Sequence, residues 1–354
     1  MPKAKKTKAP SDPHYDWVIH RAYQETLLPG VSRTFALTIP ELPASLRDTV
    51  TNAYLLFRIA DTLEDHSSLE PEENKELFLA LTRVVAGDEP GAPAARKMEA
   101  AVIDYAPVAE RDLVAALPRV AAVTHGLPQA HRDAVSRCLT VMGEGMARFQ
   151  QIRSPTGLPN RAAFDDYCYR VAGVVGEMLT DLFCMEIPEM EERRPELMRQ
   201  GRDFGLGLQA TNILKDVWTD RVRGVCWLPR DLFEAAGYKL EEGEAWHADP
   251  AFRSGMRQCV GLAVERLDSA RDYILAVPRR EAGIRRFCAW AVTMAYATLR
   301  RIHRRPGFQH PDQVKISRRQ VRRWARWSAR GARRDWVLRM ALAVSRRWLP
   351  GPPA

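Results

Sequence analysis

Apolar residues recur at three- and four-residue intervals along nearly the whole of this 354-residue chain. Tyr54, Leu55, Arg58, Ile59, Thr62 and Leu63 mark one such stretch; Leu206, Gln209, Ala210, Ile213, Leu214 and Val217 mark another. That interval stacks side chains on one face of an α-helix, and alternating β-branched runs bounded by turn pairs are scarce. Prolines fall between the helical stretches, as at Ile39-Pro40, Glu89-Pro90 and Leu228-Pro229-Arg230, where a missing amide proton ends or starts a helix. No internal repeat is visible. The pattern predicts an all-α domain over residues 15–321. A Lys- and Pro-rich tail, predicted to be disordered, precedes it over 1–14, and a Trp/Arg-rich helical segment follows over 322–354.

Charge is unevenly placed. The net charge is +9, yet from Arg300 onward sixteen Arg or Lys face only Asp312 and Asp335, so the preceding body is mildly acidic. A basic end on an acidic body points to a local anionic partner, such as a diphosphate, a nucleotide cofactor or a lipid surface, and not to nucleic acid. The six cysteines are scattered, with no CxxC pair, and no apolar stretch follows the N-terminal lysines. The expectation is a reduced, cytoplasmic protein whose cysteines are small core residues. The uncharged run Phe287 to Leu299 is too short to span a bilayer and reads as a buried helix.

Two acidic clusters carry the chemistry. Asp61, Glu64 and Asp65 share one helical face after the apolar stretch AYLLFRIA. Asn212, Asp216 and Asp220, spaced four apart, share another, with Ile213, Leu214 and Val217 directed elsewhere. Either cluster alone reads first as a solvated helix face. Together, with Arg58 and Lys215 beside them, they suit a hard cation and a phosphate, because Mg²⁺ takes oxygen ligands and completes its shell with water and phosphate oxygens.

Ser32-Arg33-Thr34-Phe35 reads as a polar helix start carrying an arginine, suited to phosphate or serving only as an N-cap. Tyr167 heads a stretch in which Ala172, Gly173 and Gly176 allow either close helix packing or room for a ligand. Gly205 to Ala210 matches the dinucleotide pattern GxGxxA, but no strand precedes it and helical periodicity runs straight through it, so a Rossmann fold is excluded. The pair Gly143 and Gly145 is read the same way. There is no P-loop, zinc spacing, GxSxG or RNA-binding signature.

The blocks SRTF, YLLFRIADTLED, MGEGMARF, YCYRVAGVVG, GLGLQATNILKDVWTD and WLP, in this order, resemble those of the squalene/phytoene synthase family. The likeness runs from about Ser32 to Val321, and FCAWAVTMAYATL and QVKISRRQV are most similar to the squalene branch. The resemblance implies a single-domain, all-α class I isoprenoid synthase fold with a central hydrophobic tunnel. It implies that Asp61, Glu64, Asp65, Asp216 and Asp220 hold Mg²⁺ and diphosphate, with Asn212 and Gln209 nearby. Arg33, Arg58 and Lys215, with Ser32, would contact diphosphate or cofactor phosphates; Tyr54 would line the site, and Tyr167 would assist the first half-reaction. Lys315 and Arg318 would hold NADPH. The implied chemistry joins two farnesyl diphosphates into presqualene diphosphate and reduces it to squalene.

Four departures stand out. Thr219 occupies a position commonly acidic in that branch, and Lys215 replaces an arginine. Ser317 stands where an NADPH-binding arginine is expected, and Arg223 is displaced from the family's position before WLP. They bear more on reduction than on condensation. The alternatives are therefore a synthase that stops at presqualene diphosphate, dehydrosqualene or phytoene, or a non-catalytic scaffold. In the C-terminal segment, arginines alternate with Trp324, Trp327, Trp336, Leu338, Leu342 and Trp348. That pattern suits peripheral contact with an anionic bilayer, or tryptophans packed onto the domain beneath solvated arginines.

Overall fold

Helices build the architecture, as the periodicity requires. The computed structural model describes residues 13–32, 34–66, 69–241, 246–317, 319–320 and 331–351. Arg33, Arg318, Trp324 and Trp327 lie outside them, as does most of the N-terminal tail. In chain order the first helices are α1 (Pro13–Val31), α2 (Phe35–Thr38), α3 (Ala44–His66), α4 (Pro71–Ala86) and α5 (Gly91–Val102). Next come α6 (Val108–Ala115), α7 (Leu117–Gly126), α8 (Gln129–Gln151), α9 (Arg161–Cys168), α10 (Val174–Glu186) and α11 (Pro188–Glu191). The chain closes with α12 (Arg194–Val222), α13 (Arg230–Ala235), α14 (Pro250–Ala276), α15 (Ala282–Arg304) and a last helix, α16 (Asp335–Arg346). Among the described residues the only β-type pairing is an isolated bridge between Leu158 and Pro229. The first helix starts at Pro13, two residues before the predicted boundary.

Two long helices carry the acidic clusters, and each is set by a buried apolar face. On α3, Leu46, Val50, Ala53, Leu56, Ala60 and Leu63 are buried. On α12, Leu197, Phe204, Ile213, Leu214 and Val217 are buried, while Trp218 enters an aromatic cluster with Trp246, Phe252 and Phe308 on the opposite side from the acids. The helix α12 packs along α14, α10 and α15, and α3 packs on α8, α1 and α7. The pair Gly205 and Gly207 lies inside α12, and Gly143 and Gly145 inside α8, so neither forms a strand-to-helix turn.

The contact between α10 and α12 is backbone against backbone. A Cβ on Gly176 would stand 1.9 Å from the Gly201 carbonyl oxygen, and one on Gly205 would stand 2.2 Å from the Ala172 carbonyl oxygen. The small residues after Tyr167 therefore bring two helices together and are not empty space for a ligand. Residues Tyr169–Gly173 form a π-helical turn between α9 and α10, a widening of the helix often found beside functional groups.

The last helix is fastened to the body. Leu338, Ala341, Leu342 and Ser345 are buried against α15 and α14. The fully buried Arg285 donates to the Ala332 carbonyl at 2.7 Å and to Asp335 at 2.7 Å, and Arg279 reaches the same carboxylate at 2.6 Å. All six cysteines are buried and unpaired, as expected of small core residues. No helix among the described residues is long and apolar enough to cross a membrane.

Because the Gly176 contact is made by main-chain atoms that have no rotamer to change, Gly176→Val is expected to cost at least about 3 kcal/mol, the upper range for overpacking. Chemical denaturation reads this as a lowered unfolding midpoint. An unchanged midpoint would contradict the close approach.

Candidate active site

The second acidic helix ends where it must for its carboxylates to meet those of the first. At the C-terminus of α12, the Asp220 carbonyl accepts from Arg223 at 2.9 Å and from Val225 at 3.0 Å, and Gly224 takes a left-handed φ of 74°. Glycine is the residue that closes a helix this way without a Cβ penalty. The turn leaves the Arg223 side chain over the acidic face. Its Nη1 lies 2.8 Å from Asp65 Oδ1 and 3.8 Å from Asp220 Oδ1, so one guanidinium touches a carboxylate of each cluster. The two acidic faces inferred from spacing alone thus look at one another across α3 and α12.

Their electrostatics fit that geometry. Asp61 keeps 35% of its side-chain surface open, which describes a recess walled by protein and not a sealed core. Burial pushes Asp61 up to about 7, with Asp65 and Glu110 adding to the rise and Arg58 opposing it. Burial likewise raises Asp220 to about 7, helped by Asp65 and Asp216 and opposed by Arg223 and Lys215. Glu64 is pushed well above the carboxylate range by burial, then by Asp65, Asp61 and Asp220. Asp61, Glu64 and Asp220 are thus each raised by neighbouring acids as well as by burial, and the nearby basic groups offset only part of that rise.

The basic residues divide by partner. Arg58 forms an ion pair with Glu110 of α6 and lies 3.8 Å from Asp61; Thr62 donates to Glu110 at 3.2 Å. Lys215 lies 3.1 Å from Asp216. Asn212 is exposed and Gln209 half-buried on the acidic side of α12, as their spacing predicts. Tyr54 is half-buried on α3, one turn before Arg58, and donates to the Val31 carbonyl at 3.3 Å. Ser32 acts as a cap, its Oγ accepting from the Phe35 amide at 2.9 Å and its hydroxyl also meeting Tyr54.

Tyr167 is where packing and chemistry coincide. Its ring stacks on Trp227 at 4.1 Å and meets the edge of Phe149 at 5.1 Å, while its hydroxyl points to Glu64 Oε1 at 3.5 Å. Burial first, then the nearby Glu64, Asp65 and Asp220, hold this phenol well above its ordinary pKa, so it stays protonated. Trp227 is placed by a zipper between two loops: Cys226 donates to Ser154, Leu158 to Leu228 and Arg230 to Leu158, all at 2.8–2.9 Å. The Gln150 side chain donates to the Glu64 carbonyl at 3.0 Å and so ties α8 to the end of α3.

Lys315 is not among the residues brought together. Its ammonium pairs with Asp312 at 3.1 Å, and its carbonyl accepts from Arg301. The preceding turn, Pro311–Gln313, packs on α12, and nearby Phe308 touches Trp218, which is on the side away from Asp216. Three contributors were not singled out as site residues by sequence reasoning. Glu110 lies in a helix with no motif, Trp227 belongs to a block whose partner is set only by tertiary contact, and Arg223 is displaced from the expected position. For Arg223 the signal was present, since it is three residues from Asp220 and shares its face.

Among the described residues, no three carboxylate, imidazole or thiolate groups converge into a ready-made metal cage. The donors are spread instead over two facing helices. An all-oxygen set with an excess of raised carboxylates suits a hard divalent cation that draws its remaining ligands from water and phosphate. The residues present fit Mg²⁺ in that manner.

Removing Glu110 leaves a mostly buried guanidinium without its hydrogen-bonded counter-charge, with Asp61 as its remaining acidic neighbour. Glu110→Gln is therefore expected to cost about 1–3 kcal/mol, discounted from a fully buried pair because Arg58 is partly open to solvent. Denaturant unfolding of the variant measures it, and an unchanged stability would show that Glu110 does not hold Arg58.

The sequence profile described as squalene/phytoene synthase matches residues 28–320. Squalene synthase 1 of Arabidopsis thaliana is 27% identical over 302 residues, covering 84% of this chain and 67% of that protein. The squalene synthase of Eremothecium gossypii is 28% identical, covering 79% and 61% respectively, so the chain spans about two thirds of the length of these relatives. A further relative, of Arabidopsis thaliana, is named an inactive squalene synthase. Among solved structures, ligand-bound TcSQS superposes with a TM-score of 0.69 at 24% identity, covering 92% of each chain. A dehydrosqualene synthase superposes with a TM-score of 0.63 at 20% identity, covering 90% of this chain and 98% of that one. The fold is that of the all-α isoprenoid synthases, and the chain belongs to the squalene/phytoene synthase family.

Proposed function

We propose that this chain is a squalene synthase that joins two farnesyl diphosphates head to head and reduces the product with NADPH. The observation that carries the reading is the facing of Asp61, Glu64 and Asp65 on α3 toward Asp216 and Asp220 on α12, with Arg223 in contact with both helices. Bound there by these carboxylates, Mg²⁺ would screen the diphosphate charge and stabilise it as a leaving group.

The chain's own residues have separable tasks in this reading. Arg58, Lys215 and Arg223 offer cationic donors to diphosphate oxygens, and Arg33 joins them by its place in the SRTF block. Ionisation breaks the C1–O bond of one farnesyl diphosphate. The double bond of the second attacks the allylic cation, a proton leaves, and cyclopropyl presqualene diphosphate results. The protonated Tyr167 donates toward Glu64, which places a hydroxyl between the acids and the reacting carbons. The half-buried Trp227, held by stacking on Tyr167, offers its ring to a passing carbocation. Phe35, Val171, Val175, Leu179 and Leu208 are apolar yet only partly buried, which supports a tunnel that keeps water from the cation. Lys315 and Arg318 would hold the NADPH that supplies the final two electrons. The exposed Lys315–Asp312 pair is weak enough to exchange for a phosphate. Six buried thiols support a reducing, cytoplasmic setting.

A second reading, in which the chain stops before reduction, draws on Ser317 and on the engagement of Lys315 with Asp312. Incubation of purified protein with farnesyl diphosphate and Mg²⁺, with and without NADPH, separates the two. Squalene only with NADPH is the expected product. Presqualene diphosphate or an unreduced hydrocarbon under both conditions would favour the second reading, and no turnover by folded protein would favour a scaffold. Asp216→Ala is expected to lower diphosphate release by about 100-fold or more, the scale for losing a group that stabilises developing charge. Undiminished release would remove Asp216 from the site.

A further inference from the structure

The outward face of the last helix is apolar where a surface helix is ordinarily polar. Leu338, Ala341, Leu342 and Ser345 face inward and are buried. On the other side Trp336, Met340 and Val344 succeed one another at four-residue intervals and are 63%, 41% and 54% exposed, and Trp348 continues the interval at 67%. Residues four apart lie along one side of a helix, so Trp336, Met340 and Val344 form a stripe and not scattered single exposures, and Trp348 adds an exposed indole just past the helix end at Arg346.

Two further features distinguish the stripe from ordinary surface. Trp348 has a φ of 71°, the only positive φ of a non-glycine among the described residues, at the helix-end position where glycine is usual. A bulky residue in that conformation is strained, and the strain is kept at a side chain that projects outward. The segment's own charges are also mostly of one sign, with Arg346 taken up by Asp268 of α14. Residues 331–351 contain five arginines and one aspartate, and the aspartate is taken by Arg279 and Arg285. Arg333, Arg334, Arg339 and Arg347 are exposed, and the Arg347 guanidinium lies 4.8 Å over the Trp348 ring. Indoles with arginines around them suit the boundary between lipid headgroups and acyl chains.

We propose that the outward face of α16, with Trp348, is a docking surface for an anionic lipid bilayer. Trp336, Met340, Val344 and Trp348 enter the headgroup boundary, and Arg333, Arg334, Arg339 and Arg347 meet lipid phosphates. The helix is held to α14 and α15 beneath, so the whole domain is positioned by it. The inference rests on this surface alone and not on the reaction proposed above.

Co-sedimentation of the full chain with vesicles tests it. Vesicles of phosphatidylglycerol and phosphatidylcholine in equal parts are expected to bind the protein, and phosphatidylcholine alone to bind it at least ten-fold less. Arg339→Gln with Arg347→Gln is expected to weaken binding by about 25-fold at low salt, from about five-fold per surface charge. Trp348→Gly relieves the strained φ, so it is expected to leave the melting temperature unchanged or raised while weakening vesicle binding. That opposition separates a docking role from a structural one. No partition into anionic vesicles, or partition unaffected by Trp336→Ser with Trp348→Gly, would overturn the proposal. A dimer in analytical ultracentrifugation that the same double variant dissolves would also overturn it, assigning the stripe to a second copy.

Discussion

Like charges held face to face are the constraint around which this protein is arranged. Asp61, Glu64, Asp65, Asp216 and Asp220 project from two helices into one recess, and burial with mutual repulsion lifts Asp61 and Asp220 to about 7. Such an arrangement costs folding free energy and persists only on a scaffold that overdetermines it. Here the scaffold is specific. Gly176 and Gly201 let α10 and α12 touch through their main chains, Gln150 fastens the end of α3 to α8, and Gly224 ends α12 so that Arg223 lies over both clusters. The aromatic group of Trp218, Trp246 and Phe252 packs the far side of α12.

The arginine between the helices carries a consequence for chemistry. A guanidinium supplies one charge in a planar fork, which suits phosphate oxygens as well as carboxylates. Arg223 therefore offsets part of the repulsion between the two clusters. Displaced along the chain from the family pattern, it is held by the end of α12 against Asp65 and Asp220.

Much of this was legible in the sequence, for physical reasons that can be named. Helical period and proline placement gave the all-α class, and four-residue spacing placed each acidic cluster on one face, since both are properties of a single helix. That the clusters face one another depends on how α3 and α12 cross, which no local pattern encodes. The glycines after Tyr167 were consistent with packing or with space, and only the Gly176–Gly201 approach decided for packing. The C-terminal tryptophans were likewise open. Trp336 and Trp348 turn outward while Leu338 and Leu342 turn in, a division set by the surface of α14 and α15. Glu110 carries no motif and became visible only through Arg58, and Trp227, although part of the WLP block, became visible as a site residue only through Tyr167. Arg33 and Arg318 lie outside the described residues, so their expected roles rest on the sequence blocks alone.

If the two helices make one diphosphate site, that site requires a divalent cation. Calorimetric titration with farnesyl thiodiphosphate, which resists ionisation, tests this without asking for turnover. Binding is expected with Mg²⁺, and little without it. Asp61→Asn with Asp65→Asn on α3, and separately Asp216→Asn with Asp220→Asn on α12, are each expected to weaken that binding by at least ten-fold while the fold is retained. Binding that needs no divalent cation, or that survives neutralisation of either cluster unchanged, would contradict it.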